Sequence, residues 1–216
     1  MVGLDFVDWM ADNTDLLVRQ TIQHLNVSLT AIGIAIVLWI PTGIYLHYND
    51  TLARAVLGGA GMVLTVPSLA MFPLLIPILG IGERPAVAAL VLYSALPMIR
   101  NTYTGLQGVE SSTLRVGRGL GMTDRQLMLR VKLPEALPVI FAGVRHAAIL
   151  VVGITTIAAF FGAGGLGRSI FRGIELHNPS QIIGATIVVA LIAIIIDYGL
   201  YGIQRQLPGG RTGGSH

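Results

Sequence analysis

RVGRGLGMTDRQLMLRVKLPEALP, residues 115 to 138, sets Arg115, Arg118, Arg125, Arg130 and Lys132 and three glycines, two apart, between two apolar stretches. The run from Glu110 to Leu120 holds no proline and predicts a short helix, with Gly121 placed where a left-handed C-terminal cap goes. Thr123 and Gln126 have the spacing of a capping box, which predicts a second helix starting there. Along it Leu127, Val131 and Pro134 share one face, and Arg125, Arg130 and Lys132 lie elsewhere around the axis. Pro134 is expected to close this helix, because proline disfavours helical geometry in the residue before it. The expected object is two short helices at an angle, hinged at Gly121, with a mixed apolar and basic surface.

The flanks say what this object projects from. Hydrophobic residues make up 53% of the chain and charged ones 12%, with a mean hydropathy of +0.73. Soluble domains carry about a quarter charged residues, so the chain belongs in a bilayer. Stretches of about 20 apolar residues can span one. Leu25 to Tyr48, Leu137 to Phe161 and Ile182 to Ile203 qualify. Leu52 to Ile81 is long enough but carries Pro67, Pro73 and Pro77, so a bent or broken helix is expected. Ala86 to Ile99 is short and contains Pro97, yet it offers the return crossing. The fold class is all-α, a polytopic membrane protein of five spans, or six if the proline-rich stretch makes a re-entrant turn. Residues 1–20 read as an extracytoplasmic N-terminal segment and 21–207 as the membrane domain. Within that domain 101–134 form a cytoplasmic loop, and the glycine-rich 208–216 are expected to be a disordered tail. The acidic leader MVGLDFVDWMADNTD lacks the positive region of a signal peptide. The chain has no cysteine, which leaves the redox compartment undetermined.

With the N-terminus outside, nine basic residues fall in inner segments (Arg54, Arg100, Arg115, Arg118, Arg125, Arg130, Lys132, Arg205, Arg211) and four in outer ones (Arg19, Arg84, Arg168, Arg172). The positive-inside rule then predicts a cytoplasmic C-terminus in the plasma or inner membrane and puts residues 115–138 in the cytoplasm. This bias accounts for the pI near 9.6. No aromatic side chains interleave with the loop's cations, which argues against nucleic acid as a partner. A phosphate-cradling P-loop needs lysine directly after glycine, and Lys132, the one lysine, follows Val131. If ATP drives this protein, hydrolysis belongs to another chain.

Arginines in such a loop commonly hold anionic membrane lipid. A second reading comes from a resemblance. Gly121-Met122-Thr123, Val131, Leu133-Pro134 and Leu137-Pro138 resemble the EAA loop of ABC importer permeases, whose pattern is a Glu-Ala-Ala triplet, a glycine four residues later and an Ile-x-Leu-Pro ending. TVPSLAMFPLLIPILGIG (65–82), LPVIFAGVRHA (137–147) and FFGAGGLGRSIF (160–171) look like the osmoprotectant branch, for glycine betaine, choline, carnitine and similar solutes. The resemblance implies a type I ABC importer permease (MetI-like) fold and an ATPase-coupling loop at Arg115, Gly117, Arg118, Gly121, Met122, Thr123, Asp124, Leu133 and Pro134. It implies as partners two ABC ATPase subunits, a second permease subunit, identical or related, and an extracytoplasmic solute-binding protein. At the triplet this chain has Arg115, Val116 and Gly117, so a cation stands where the family has an acid. Either the ATPase partner carries a complementary acid, or Glu110 takes over part of the role.

Within the spans, Arg145 and Asp197 each lie about two turns from the expected cytoplasmic end. Charges at such depth usually pair or line a water path. A bridge fixing two helices is the first expectation, and a gate on the solute path the alternative. His24, His47 and His177 are scattered without a second ligand at helical spacing, and His146 reads as packed or interfacial, so neither metal nor cofactor is expected. Trp9, Trp39, Tyr45 and Tyr48 suit interface anchoring. Gly162 and Gly165 would allow close helix approach, or form a turn on the outer face. An intramembrane enzyme is a poor reading, since neither G-x-S-x-G nor H-E-x-x-H occurs. The rivals within transport are a permease for amino acids such as methionine and a stand-alone channel or secondary carrier.

Overall fold

In the computed structural model, residues 5–207 are described. The expected tail and Arg211 lie outside them. The described chain is helical throughout. A short α1 (Asp5–Asp12) leads into α2 (Thr14–Leu46), followed by α3 (Asp50–Thr65), α4 (Ser68–Leu79), α5 (Glu83–Gln107), α6 (Ser111–Gly119), α7 (Asp124–Leu127), α8 (Leu133–Ala158), α9 (Gly167–Glu175) and α10 (Pro179–Gln206). Of these, α2, α7–α8 as one 38-residue run and α10 are long and apolar enough to cross a membrane, with a fourth span if α3 and α4 count as one.

The break between α3 and α4 bends the chain by 104°. Its cause is local. Val66 precedes Pro67 and sits at φ −68°, ψ 127°, the extended region to which a following proline ring drives its neighbour. Pro73 and Pro77 stay inside α4, on its exposed face, and Pro97 stays inside α5, buried.

With Pro97 absorbed, α5 has 25 residues and reaches beyond both ends of the expected span. At 1.5 Å per residue this is about 37 Å, enough to cross. It is the bundle's centre. Ala86, Ala89, Leu90, Tyr93 and Met98 on it are at most 2% exposed and pack with Val27, Ala31 and Ala35 of α2, Phe72 of α4 and Ala147, Ala148 and Val151 of α8. A helix walled by protein needs less apolar surface than one facing lipid, which is why hydropathy alone undercounts it. Small residues set the spacing: a Cβ on Gly143 of α8 would meet Asn101 Cβ at 2.6 Å and the Pro97 carbonyl at 2.8 Å. Trp39, expected at an interface, instead donates from its indole to the Val91 carbonyl at 2.8 Å and ties α2 to α5.

One expectation fails here. Pro134 does not end the loop's second helix, which runs on into α8 through a π-helical turn, Met128–Lys132. Leu133 donates to Met128, five residues back. In an α-helix the Pro134 ring would press on the Arg130 carbonyl and offer it no N–H. One widened turn just before the proline absorbs both defects, so the helix bends its hydrogen-bond register rather than stopping.

Candidate functional site

The α6–α7 hairpin is built from local rules. Gly121 adopts φ 78°, its N–H donates to the Arg118 carbonyl at 2.9 Å, and Met122 donates to Gly117 at 3.1 Å. This is the six-to-one and five-to-two pattern of a Schellman cap, and it uses the carbonyls that the end of α6 leaves free. Thr123 accepts from the Gln126 amide at 3.3 Å, and Gln126 Oε1 accepts from the Thr123 amide at 2.9 Å, a complete capping box. Gly117 lets the two arms touch: a Cβ there would lie 2.5 Å from Leu127 Cδ2. Leu127 is 2% exposed, whereas Val116 and Leu120 stand 65% and 79% exposed. The hairpin thus buries one leucine to hold its shape and offers an apolar and basic outer surface.

Of the residues singled out in the sequence, Arg118 and Asp124 approach at 4.0 Å, both well exposed, a pairing worth little in water. Arg115 donates to Ser111 Oγ at 3.2 Å. Glu110 is the N-cap position of α6 without a side-chain cap bond, and no bond joins it to Arg115 among the described residues. Leu133 and Pro134 lie past the π turn, at the start of α8.

Arg145 and Asp197 meet. Arg145 Nε and Nη2 both donate to Asp197 Oδ1, at 2.8 and 2.6 Å, and Nη1 donates to Gln204 Oε1 at 3.0 Å. Gln204 in turn donates to the Pro138 carbonyl at 2.8 Å. The guanidinium also lies 4.8 Å from the centroid of Tyr201, over its face. One cation therefore joins α8 to three residues of α10.

Two further constellations bring together residues that the sequence reading left apart. At the end of the bundle opposite the hairpin, Gly162, Gly164 and Gly165 all have positive φ, so this stretch is a turn, and it also lies close on α2: a Cβ on Gly165 would meet His24 Cα at 3.2 Å. It is sewn to α2: Gln23 Oε1 accepts from the Gly165 amide at 3.2 Å and Ser169 donates to Gln20 at 2.7 Å. His24 Nε2 lies 3.1 Å from the Val152 carbonyl, and Ser28 donates to Thr155 at 3.0 Å, all four of these side chains being fully buried. Gln20, Gln23, His24 and Ser28 recur at helical spacing in an apolar helix, and that stripe is the signal the sequence carried. Beside it, Trp9, Phe160, Phe171, Arg168 and Arg172 border an open recess of about 880 Å³.

The other constellation is at the hairpin end. Lys132 Nζ and His47 Nε2 are 2.7 Å apart, joining the π turn to the residue that follows α2. Burial first, then the Lys132 charge, lowers the affinity of His47 for a proton, opposed by Asp50. Asp50 accepts from Tyr103 at 2.9 Å, so the α2–α3 connection is also held by α5. Among the described residues no group of three metal-ligating side chains converges.

Comparison with known proteins agrees with this architecture. The family model described as "Binding-protein-dependent transport system inner membrane component" matches residues 35–209. The carnitine transport permease OpuCB of Listeria monocytogenes is 40% identical over 201 residues, 93% of this chain and 92% of that one. The choline transport system permease OpuBB of Bacillus subtilis is 41% identical over 93% of both chains. The osmoprotectant import permease OsmW of Salmonella typhimurium is 41% identical over 94% of this chain and 97% of its own. Among solved structures, an inward-facing form of the MetNI methionine ABC transporter covers 90% of this chain and 97% of the matched one, with a TM-score of 0.81 at 22% identity, a likeness of fold.

Proposed function

Because the chain belongs to the binding-protein-dependent transport system inner membrane components, we propose that it is the permease subunit of an ATP-driven importer for osmoprotectants, the class of glycine betaine, carnitine and choline. It is a transport component, not an enzyme. ATP hydrolysis resides in a separate subunit, and a solute-binding protein is the other partner the family implies. The observation that carries the coupling role is the hairpin: a rigidly capped, outward-facing pair of helices with exposed Val116 and Leu120, continuous with a spanning helix. The composition of the hairpin suits docking, since apolar tips supply area and the surrounding arginines fix orientation.

In this reading two ATPases grip two such hairpins, one on each of two permease chains, identical or related. The hairpin end is cytoplasmic and the glycine-turn end faces the binding protein, as the split of basic residues suggests. The coupling surface is Arg115, Gly117, Arg118, Gly121, Met122, Thr123 and Asp124, with Leu133 and Pro134 leading into α8. Arg115 is exposed and its one hydrogen bond among the described residues is to Ser111, which leaves it open to pair with an acidic residue of the ATPase. Binding of ATP shifts a two-state equilibrium by its differential affinity for the two arrangements.

The test is reconstitution with its ATPase and binding protein in liposomes. ATP-dependent uptake of labelled glycine betaine, carnitine or choline is expected, without uptake of methionine and without uptake when the ATPase is left out. Methionine uptake would overturn the substrate class, and uptake without ATPase would overturn the importer.

A further inference from the structure

We infer that His47 and Lys132 form a proton-sensitive latch that positions the π turn, so that acidification at the hairpin end disengages the coupling hairpin from the bundle. The inference rests on the coupling role proposed above.

An ammonium group only donates hydrogen bonds. At 2.7 Å, Lys132 Nζ must therefore donate to a lone pair on His47 Nε2, which fixes the ring as neutral with its proton on Nδ1. His47 Nδ1 faces into the protein, buried and without a hydrogen-bond partner. The ring is thus held by Nε2 alone. Protonation of Nε2 removes the lone pair and leaves two cations facing each other, so the contact turns from attractive to repulsive.

The surroundings give that change somewhere to go. His47, Tyr48, Leu114, Arg118, Asp124, Leu127, Met128 and Lys132 border a recess of about 260 Å³ between α6, α7, the π turn and the α2–α3 connection. The charged groups bordering it are Lys132 from the π turn, Arg118 from α6 and Asp124 from α7, and Asp50 at the start of α3 acts on His47 from outside it. Arg118 and Asp124 lean toward each other, and Asp50 accepts from Tyr103 and Gln107 of α5. No carboxylate bonds to His47 or Lys132 among the described residues. The neutral ring is therefore the one partner of the lysine, and it sits on a connection that α5 already anchors. Among the described residues no other polar bond ties the π turn to the end of α2; the cluster that holds Met128 also packs against Ile40 and Ile44 of α2. The hairpin transmits force to the bundle along α8 and across this latch.

The sign follows from the geometry. Docking keeps His47 neutral, and burial and Lys132 act the same way, so the latch is whole above the ordinary histidine value of 6.5 and is lost as pH falls through the lowered value.

The experiment uses the complete transporter, with the ATPase face exposed to the buffer, and compares wild type with His47→Gln and His47→Ala. Glutamine offers a carbonyl oxygen to Lys132 and does not titrate. Solute taken up per ATP is expected to fall at least about threefold in wild type relative to His47→Gln between about pH 8 and pH 5.5, the window in which histidine acts as a switch. His47→Ala is expected to show the low ratio at every pH. Hydrogen exchange over residues 128–133, corrected for its intrinsic pH dependence, is a readout independent of transport. It is expected to accelerate on acidification in wild type, to stay flat in His47→Gln and to be fast throughout in His47→Ala. Parallel pH profiles for wild type and His47→Gln, or exchange that ignores pH, would overturn the latch. Failure of wild-type uptake with the expected exchange pattern would instead count against the transport reading.

Discussion

At Arg145 three guanidinium nitrogens are engaged, two on a single oxygen of Asp197 and one on Gln204, while the face of the ion lies over Tyr201. The two charged side chains keep about a quarter of their surface open, 24% and 27%. Removing one partner leaves an uncompensated charge at intermediate burial. Asp197→Asn and Arg145→Gln are each expected to cost on the order of 2 kcal/mol, between the limits for exposed and buried pairs. The charge-swapped double variant is expected to recover part of that loss, read as thermal unfolding in detergent through a double-mutant cycle. Zero coupling would remove the bridge. The pair was legible because each charge interrupts a long apolar run at a similar distance from its end. Gln204 and Tyr201 were not, since a polar or aromatic residue near a helix end has many ordinary uses, and only the packing of α8 on α10 selects this one.

For the hairpin, sequence and structure agree where the rules are local and part where they are not. Gly121 and the Thr123–Gln126 box concern residues within six positions of one another, so their spacing predicts their bonds. The continuation through Pro134 depends on α2 and α5 packing beside the π turn, which a window of sequence does not contain. Gly121→Val forces a β-branched residue to a left-handed φ and is expected to cost about 1–2 kcal/mol locally and to lower ATPase stimulation by the binding protein severalfold. Retention of full stimulation would count against the hairpin as the coupling element. Thr123→Ala removes one half of the box and is expected to weaken the helix by about 1 kcal/mol, seen as faster hydrogen exchange at residues 124–127.

Across the whole bundle, five apolar stretches are legible, yet the central one is the least apolar and was read too short. Helix α5 is buried by its neighbours, so it could dispense with the composition that marks the others, and the polar residues at either end, Glu83 and Arg84, then Arg100 and Asn101, cut the apolar reading short. The seam of Gln20, Gln23, His24 and Ser28 went unread for a related cause. Its partners Val152, Thr155, Gly165 and Ser169 are more than 120 residues away in sequence. The chain has no cysteine, so single introduced cysteines report topology without background. Cysteine at Leu120 is expected to react only when reagent reaches the cytoplasmic face, and cysteine at Ile174 only from outside. The opposite pattern would invert the orientation.

From Asp124 the helix runs unbroken to Phe161, 38 residues or about 57 Å at 1.5 Å per residue, and the first left-handed glycine, Gly162, follows at once. In the proposed transporter this rod is the lever arm, and its pivot is where Gly143 and Ala147 press it against α5. If the hairpin docks as proposed, a push at that tip is carried to the other, next to the bonds that hold Gln20 and Gln23.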